Sequence, residues 1–334
     1  MKKHLIVISA FCLSLLVGCE QSENELEVNE EYPVSIEANI GEAGVSRYSG
    51  SEPNDAAFVG GDKIGLACKV GTDAATSFVE WSFDGSRWTA GSPMTWKNLG
   101  EDHTFYAFYP YGENDANTTV GQVKMPILTN QNGAMSSVAL CDFLVATKTM
   151  KYSNEGKVSF TDTYAFKHVS SLVVLKLNNV GDLTSAKIKK ISLSGTNLVA
   201  GSNYSFTAAD DKKVSLKEGS NDDMMIAEYT NGIVMDENKV FYFVVNSNTV
   251  NLEDVDLCIT YESAGEDMYT AKREGLYNEG GDAQFQKGYF YTYNITVTTD
   301  KNLVISDYGI DKWNEGSSMD ITIGSEKQEE ANEN

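Results

Sequence analysis

The clearest runs in the chain alternate between apolar and polar positions. In YFYTYNITVT (residues 289–298), Tyr289, Tyr291, Tyr293, Ile295 and Val297 fall on one face, and Phe290, Thr292, Asn294, Thr296 and Thr298 on the other. In DVDLCITYE (254–262), Val255, Leu257, Ile259 and Tyr261 face one way, while the acids and Cys258 face the other. Side chains alternate across a strand, so each run buries one face and wets the other, the pattern of antiparallel sheets. VFYFVV (240–245) is apolar throughout, which predicts a strand covered on both faces. In AKIKKISLSG the apolar phase is set by Ala186 and Ile188, then moves to Ile191 and Leu193. A shift of one residue flips every side chain, so a β-bulge is expected near Lys189 and Lys190.

Further strands are predicted at PVSIEANI (33–40), KIGLACK (63–69), SFVEWSF (77–83), TFYAFYP (104–110), SSLVVLKL (170–177) and MDITI (319–323). Turn-rich pieces such as FDGSRW, YGENDANT and LTNQNG separate them. Many short strands at this spacing predict an all-β chain of two β-sandwiches in tandem. The length of 334 residues agrees, at roughly 150 residues per domain. The division is placed near residue 157, after YSNEGK, giving an N-terminal sandwich over 32–157 and a C-terminal one over 158–325. A polar tail, 326–334, follows. The glycines of VGGDKIGL lack phosphate-loop spacing and read as a hairpin turn feeding a strand.

Charge narrows the partners. The net charge is −22, and residues 1–18 contribute Lys2 and Lys3 with no acid. Without them the body carries about −24, which argues against nucleic-acid binding, since that needs basic patches, and against adsorption to anionic lipid surfaces. High negative charge keeps an exported protein soluble.

Residues 1–18, MKKHLIVISAFCLSLLVG, have a basic start and an apolar core from Leu5 to Val17. The core is short for a membrane span and fits the h-region of an export signal. It ends Leu16-Val17-Gly18-Cys19, which resembles a bacterial lipobox. That resemblance implies lipidation of the Cys19 thiol, cleavage before it, and acylation (palmitate) of the new amino group. An ordinary signal peptide with an incidental cysteine is the plainer alternative. Residues 19–31 are acid-rich and read as a solvated tether. An acidic stretch after a lipid-bearing cysteine also resembles the surface-export signal of Bacteroidetes lipoproteins.

Little in the chain points to catalysis. There is no G-x-S-x-G elbow, P-loop, H-E-x-x-H or Rossmann fingerprint, so an enzyme is not expected. Once Cys12 and Cys19 are set aside, Cys68, Cys141 and Cys258 remain, an odd number with no zinc spacing. His103 and His168 form no metal-binding pair, and His168, at the start of a strand, reads as structural. No metal and no cofactor are expected. Trp81, Trp88 and Trp96 with TFYAFYPYG (104–112) offer a platform for sugar rings, but Phe105, Tyr106, Phe108 and Tyr109 fall on both faces of one strand, as core-filling aromatics do.

In order, the motifs resemble the fimbrillin family of Bacteroidetes, the type V pilins. After the lipobox and tether comes PVSIEANI, followed by Ser46-Arg47. FVGGDKIGL resembles the family's F-x-x-G-D-x-I-G-L element at Phe58, Gly61, Asp62, Ile64, Gly65 and Leu66. FYAFYPY (105–111) is next, then CDFLVATK (141–148), resembling a D-x-L-x-A element. FKHVSSLVVLKL (166–177) resembles the F-x-H opening of the second domain, and YTYNITV with ISDYGIDKW ends at Trp313.

The resemblance implies two tandem transthyretin-like Greek-key β-sandwich domains and a structural or accessory subunit of a surface fimbria in cell adhesion. It implies a lipoprotein precursor at the outer membrane, cut by a trypsin-like, Arg-specific protease between Arg47 and Tyr48. The first strand would then leave, and a donor strand from a neighbouring subunit would fill its groove. Val34, Ile36, Ala38 and Ile40 recur at period two, as do Met319, Ile321 and Ile323, so the first set is the candidate displaced strand and the second the candidate donor. Arg47 is the only Lys or Arg between Lys3 and Lys63. Here Ser46 stands where the family often has Thr, and Tyr48 is a bulky neighbour for a cut. The alternative function is a monomeric surface lipoprotein that binds glycans or host ligands.

Overall fold

The structure, a computed structural model, describes residues 32–40 and 57–313, apart from 130, 181–182, 217–223, 237–238, 248–249, 264, 266, 277–282 and 299. Strands are the dominant regular structure among these residues. The first half opens with β1 (Tyr32–Pro33) and β2 (Ser35–Ala38). It continues through β3 (Lys63–Val70), β4 (Val79–Phe83), β5 (Trp88–Ala90), β6 (Thr95–Trp96), β7 (His103–Tyr109) and β8 (Val123–Lys124). A short helix, α1 (Met135–Cys141), precedes β9 (Leu144–Met150), β10 (Lys157–Phe160) and β11 (Lys167–His168).

Six of these form one antiparallel sheet in the order β11-β9-β7-β3-β4-β5. KIGLACK and TFYAFYP sit at its centre as β3 and β7. Both faces are covered. Phe105, Ala107 and Tyr109 of β7 enter the main core, while Phe108 and Ala67 enter a second, smaller one. At Gly65 the Phe108 ring lies directly on the β3 backbone, and an added Cβ would stand 2.3 Å from Phe108 Cε1. Only glycine permits that approach.

The second half runs through β12 (Ser171–Asn179), β13 (Lys187–Ser194), β14 (Ser202–Tyr204), β15 (Val214–Leu216), β16 (Met224–Val234), β17 (Val240–Val245), β18 (Asp256–Glu262), β19 (Met268–Arg273), β20 (Tyr289–Val297) and β21 (Leu303–Lys312). Two four-stranded sheets result, β17-β12-β20-β21 and β16-β13-β18-β19. A bridge between Lys272 and Asn302 links β19 to the segment entering β21. The expected bulge in β13 is present: its register with both neighbours shifts between Ile188 and Lys190. The shift lets Ile188 and Ile191 both be buried while Lys189 reaches Glu262 at 2.6 Å.

Not every pairing is antiparallel. β12 runs parallel to β20, and β10 runs parallel to β2. Alternation reports which face is buried. It carries no information on the direction of the neighbour, and strands brought together from distant parts of the chain need no hairpin. β17 is apolar because it is covered on both faces, as expected. Its outer edge is closed by a side chain: the Gln131 amide donates to the Val244 carbonyl at 2.7 Å and accepts the Val244 N–H at 2.8 Å. The Tyr242 N–H donates to Gly133 O at 2.9 Å. These bonds occupy an edge that would otherwise be open to another strand.

The chain leaves the first sheet at His168 and enters the second at Ser171. The halves are also tied by a three-stranded sheet, β15-β14-β8, in which β8 of the first half pairs with β14 of the second. Tyr204 and Phe206 then lie over the second core, with ring centroids 5.7 Å from Phe143 and 5.9 Å from Phe78 respectively.

Candidate functional site

The segment from Tyr32 to Ile40 lies in a bed built from two distant stretches. At its start β1 pairs antiparallel with β6, and the Val34 N–H donates to Met94 O at 2.9 Å. It then crosses to β10, pairing in parallel from Ser35↔Lys157 to Ala38↔Phe160. The Asn39 N–H donates to Phe160 O, and the Phe166 N–H to Asn39 O, both at 3.0 Å. The period-two pattern does what it predicts for burial: Val34 and Ile40 are buried, and Ile36 and Ala38 are half-buried against the core. Ser35, Glu37 and Asn39 are exposed.

Two further contacts fasten the segment. Lys157 Nζ lies 2.6 Å from Glu37, and this bond with the lysine holds the Glu37 carboxyl below its ordinary value. Gly156 has φ +80°, and a Cβ there would stand 2.5 Å from Pro33 O. The same residue accepts the Trp96 indole N–H at 3.0 Å, so β6, the segment and β10 meet at one glycine.

Motifs far apart in sequence converge beside this bed. The Phe58 ring packs edge-on to Trp88, Tyr109 and Phe166 at 5.1, 5.6 and 5.2 Å. The Tyr109 hydroxyl donates to Ala139 O at 3.1 Å and lies 3.4 Å from Asp62. Asp62 also accepts the Val59 N–H at 2.8 Å, closing the turn in which Gly61 takes φ +97°. That turn feeds β3, and among the described residues 57–60 before it no strand is assigned.

At the last described residue, Trp313 stacks on His168 with centroids 3.9 Å apart and planes 6° from parallel. His168 Nδ1 donates to Asp142 at 2.8 Å, and both side chains are buried. The Trp313 N–H donates to Gly288 O. His168 is thus structural, as expected, and it roots the last described residue against α1 and β9. Each partner lies in a motif legible in the sequence, but their meeting is a property of the fold.

Of the other candidates, Cys19, Arg47, Tyr48, Met319, Ile321 and Ile323 lie outside the described residues. Trp81, Trp88 and Trp96 are buried, and β7 sends rings to both cores, so these aromatics fill the interior rather than present a platform. His103 is buried with its ring nitrogens facing the carbonyls of Glu101 and Lys97. Cys68, Cys141 and Cys258 are free thiols. Among the described residues, no group of three or more His, Cys, Asp or Glu is placed to hold a metal.

Fold and site define an all-β protein that carries its first described strand across a bed assembled from residues 94–96 and 157–166. The chain belongs to the fimbrillin-like family, whose model matches residues 51–313, closing on Trp313. Among solved structures it is similar to a candidate cell adhesion protein from Bacteroides ovatus, with TM-score 0.60 and 17% identity over 85% of this chain and 98% of that one. A second, from Bacteroides uniformis, gives TM-score 0.58 and 14% identity over 86% and 99%. At these identities the likeness is one of fold. A comparison with curated proteins finds no match.

Proposed function

We propose that this protein is a structural or accessory subunit of a cell-surface fimbria and acts in cell adhesion. Its role is structural and not catalytic. It is exported as a lipoprotein through Cys19, reaches the outer membrane surface, and is cut after Arg47 by a trypsin-like protease. The segment 32–40 then leaves, and a donor strand from another subunit takes its bed. The candidate donor is the Met319, Ile321 and Ile323 run. The sheets are read as two transthyretin-like Greek-key sandwiches in tandem.

The observation that carries this reading is the seating of Tyr32–Ile40. Its inward residues fill the core at period two, yet it is joined to the rest of its half only through 41–56 in sequence. Two fully buried aliphatic side chains and a half-buried third contribute roughly 4–7 kcal/mol before ordering costs. A domain is stable by about 5–15 kcal/mol, so an empty bed is strongly driven to refill. Main-chain pairing along β10 gives any incoming strand affinity, and the alternate side chains give it register.

Treating the delipidated precursor with a trypsin-like protease tests the reading. On an unboiled denaturing gel, a ladder of oligomers is expected after the cut, and Arg47→Ala abolishes both cut and ladder. A clean cut that leaves only monomers overturns the assembly reading.

A further inference from the structure

The chain has three arginines, Arg47, Arg87 and Arg273. An Arg-specific protease adds one water across the bond after an arginine, leaving a carboxylate on that side and a free amine on the next residue. To do so it must take the substrate as an extended strand, so the hydrogen bonding and burial of the local backbone decide which bond is open to it.

Arg87 closes the turn between β4 and β5, and its side chain is 80% exposed. Exposure alone marks it for cutting. Its backbone is nonetheless held. The Asp84 N–H donates to Arg87 O at 3.1 Å. Asp84 Oδ1 accepts the Ser86 N–H at 2.8 Å, the Ser86 hydroxyl at 2.8 Å and the Arg87 N–H at 2.9 Å. Arg87 Nε reaches Asp84 Oδ2 at 3.3 Å. The backbone bonds from Arg87 and Ser86 and the Ser86 hydroxyl lower the Asp84 carboxyl to about 2, so it stays charged at neutral pH. Beyond the bond, Trp88 is buried against Phe58 and Phe83, with centroids at 5.1 and 4.9 Å. Straightening Arg87–Trp88 means dissolving the turn and drawing an indole out of the core.

Arg273 is held differently. It ends β19 opposite Leu257, and its Nε donates to Gly275 O at 3.1 Å. Gly275, at φ +69°, lies so close to Glu253 that an added Cβ would stand 3.0 Å from the Glu253 carbonyl oxygen.

We infer that Asp84 is a specificity-determining residue for Arg-specific processing, because it withholds the exposed Arg87–Trp88 bond from the protease. The pairing of β19 with β18 does the same for Arg273–Glu274. This inference rests on the processing reading above, and it explains how an enzyme that reads only arginine spares the folded body.

The test is a time course on the full native chain with an arginine-specific endoprotease, reading new N-termini at Tyr48, Trp88 and Glu274 by mass spectrometry. The wild-type chain is expected to yield neither Trp88 nor Glu274 at a dose that yields both in urea. Asp84→Ala raises the Trp88 terminus by roughly tenfold or more, because cutting follows the population of the open turn. Glu274 stays silent in that variant, which shows that the fold is intact. Asp84→Asn keeps the oxygen that accepts the Ser86 and Arg87 N–H groups, and it stays protected. Should Asp84→Ala expose Glu274 as well, two glycines inserted after Gly85 open the same turn without touching the core, and this chain is expected to be cut after Arg87 alone. Wild-type cutting after Arg87 at the Asp84→Ala rate overturns the inference, as does an opened turn that resists. A missing Tyr48 terminus counts against processing at Arg47 and leaves the Arg87 result standing.

Discussion

Burial pushes the Cys68 thiol up to about 12, and burial with the neighbouring Asp142 charge pushes Cys141 up to about 11. Thiolate is the reactive form, so both are expected to resist iodoacetamide at pH 8 in the folded protein. Cys258, half-buried on the outer face of β18, is expected to react slowly, and mass spectrometry of the labelled chain checks the order. Gly156 gives a sharper residue-scale test. A side chain there meets Pro33 O and also forces φ +80° on a residue with a Cβ, so Gly156→Ala is expected to cost about 2 kcal/mol in thermal unfolding. The loss is expected to fall on the seating of 32–40. At this scale the sequence was partly legible. The inward set Val34, Ile36, Ala38 and Ile40 followed from period two alone. The roles of Gly156, Asp62 and Asp84 did not, because each depends on a backbone conformation or a neighbour that no local pattern encodes.

Among the elements, the 32–40 segment and its bed carry one pH-dependent contact. Bonding to Lys157 lowers the folded-state Glu37 value below its unfolded one. Its contribution is therefore present above the ordinary carboxylate range and is lost as pH falls through the lowered folded value. The pair is half-exposed, with side chains at 48% and 50%, so it is worth less than about 1 kcal/mol. Hydrogen exchange of Asn39 and of β10 is expected to quicken modestly below about pH 4, and Glu37→Gln is expected to flatten that change. The β14–β15 ribbon makes a separate element-scale prediction. Tyr204 is buried over Phe143, so Tyr204→Ala is expected to cost about 3 kcal/mol and to destabilise the first half although the residue belongs to the second. Strand positions and the β13 bulge were legible because burial on one face leaves a period in the sequence. Parallel pairing of β12 with β20, and the Gln131 plug on β17, were not. Both are choices of neighbour, made between residues far apart in the chain.

For the whole molecule, the shared sheet β15-β14-β8 and the second core bind the two halves through more than their linker. A single cooperative unfolding transition is expected by calorimetry, and two separated transitions would contradict that coupling. On the proposed reading as a fimbrial subunit, coupling of the two halves would let load pass from one neighbour to the next. A net charge of −22 is of the sign and size that keep such a body soluble. Family membership was legible from the order of motifs, since Phe58, Asp62, Asp142, Phe166, His168 and Trp313 are residues that the fold brings to two neighbouring clusters.

The central claim is that Tyr32–Ile40 must leave its bed before another chain can occupy it. Ile36 lies directly opposite Val158 in the β2–β10 register, so a double variant, Ile36→Cys with Val158→Cys, can be oxidised to a disulfide that ties the segment down. The measurement is the oligomer ladder of this variant after protease treatment, with and without reductant. The expected result is a cut monomer while the disulfide holds and a ladder once it is reduced. A ladder that forms with the disulfide intact would contradict strand displacement.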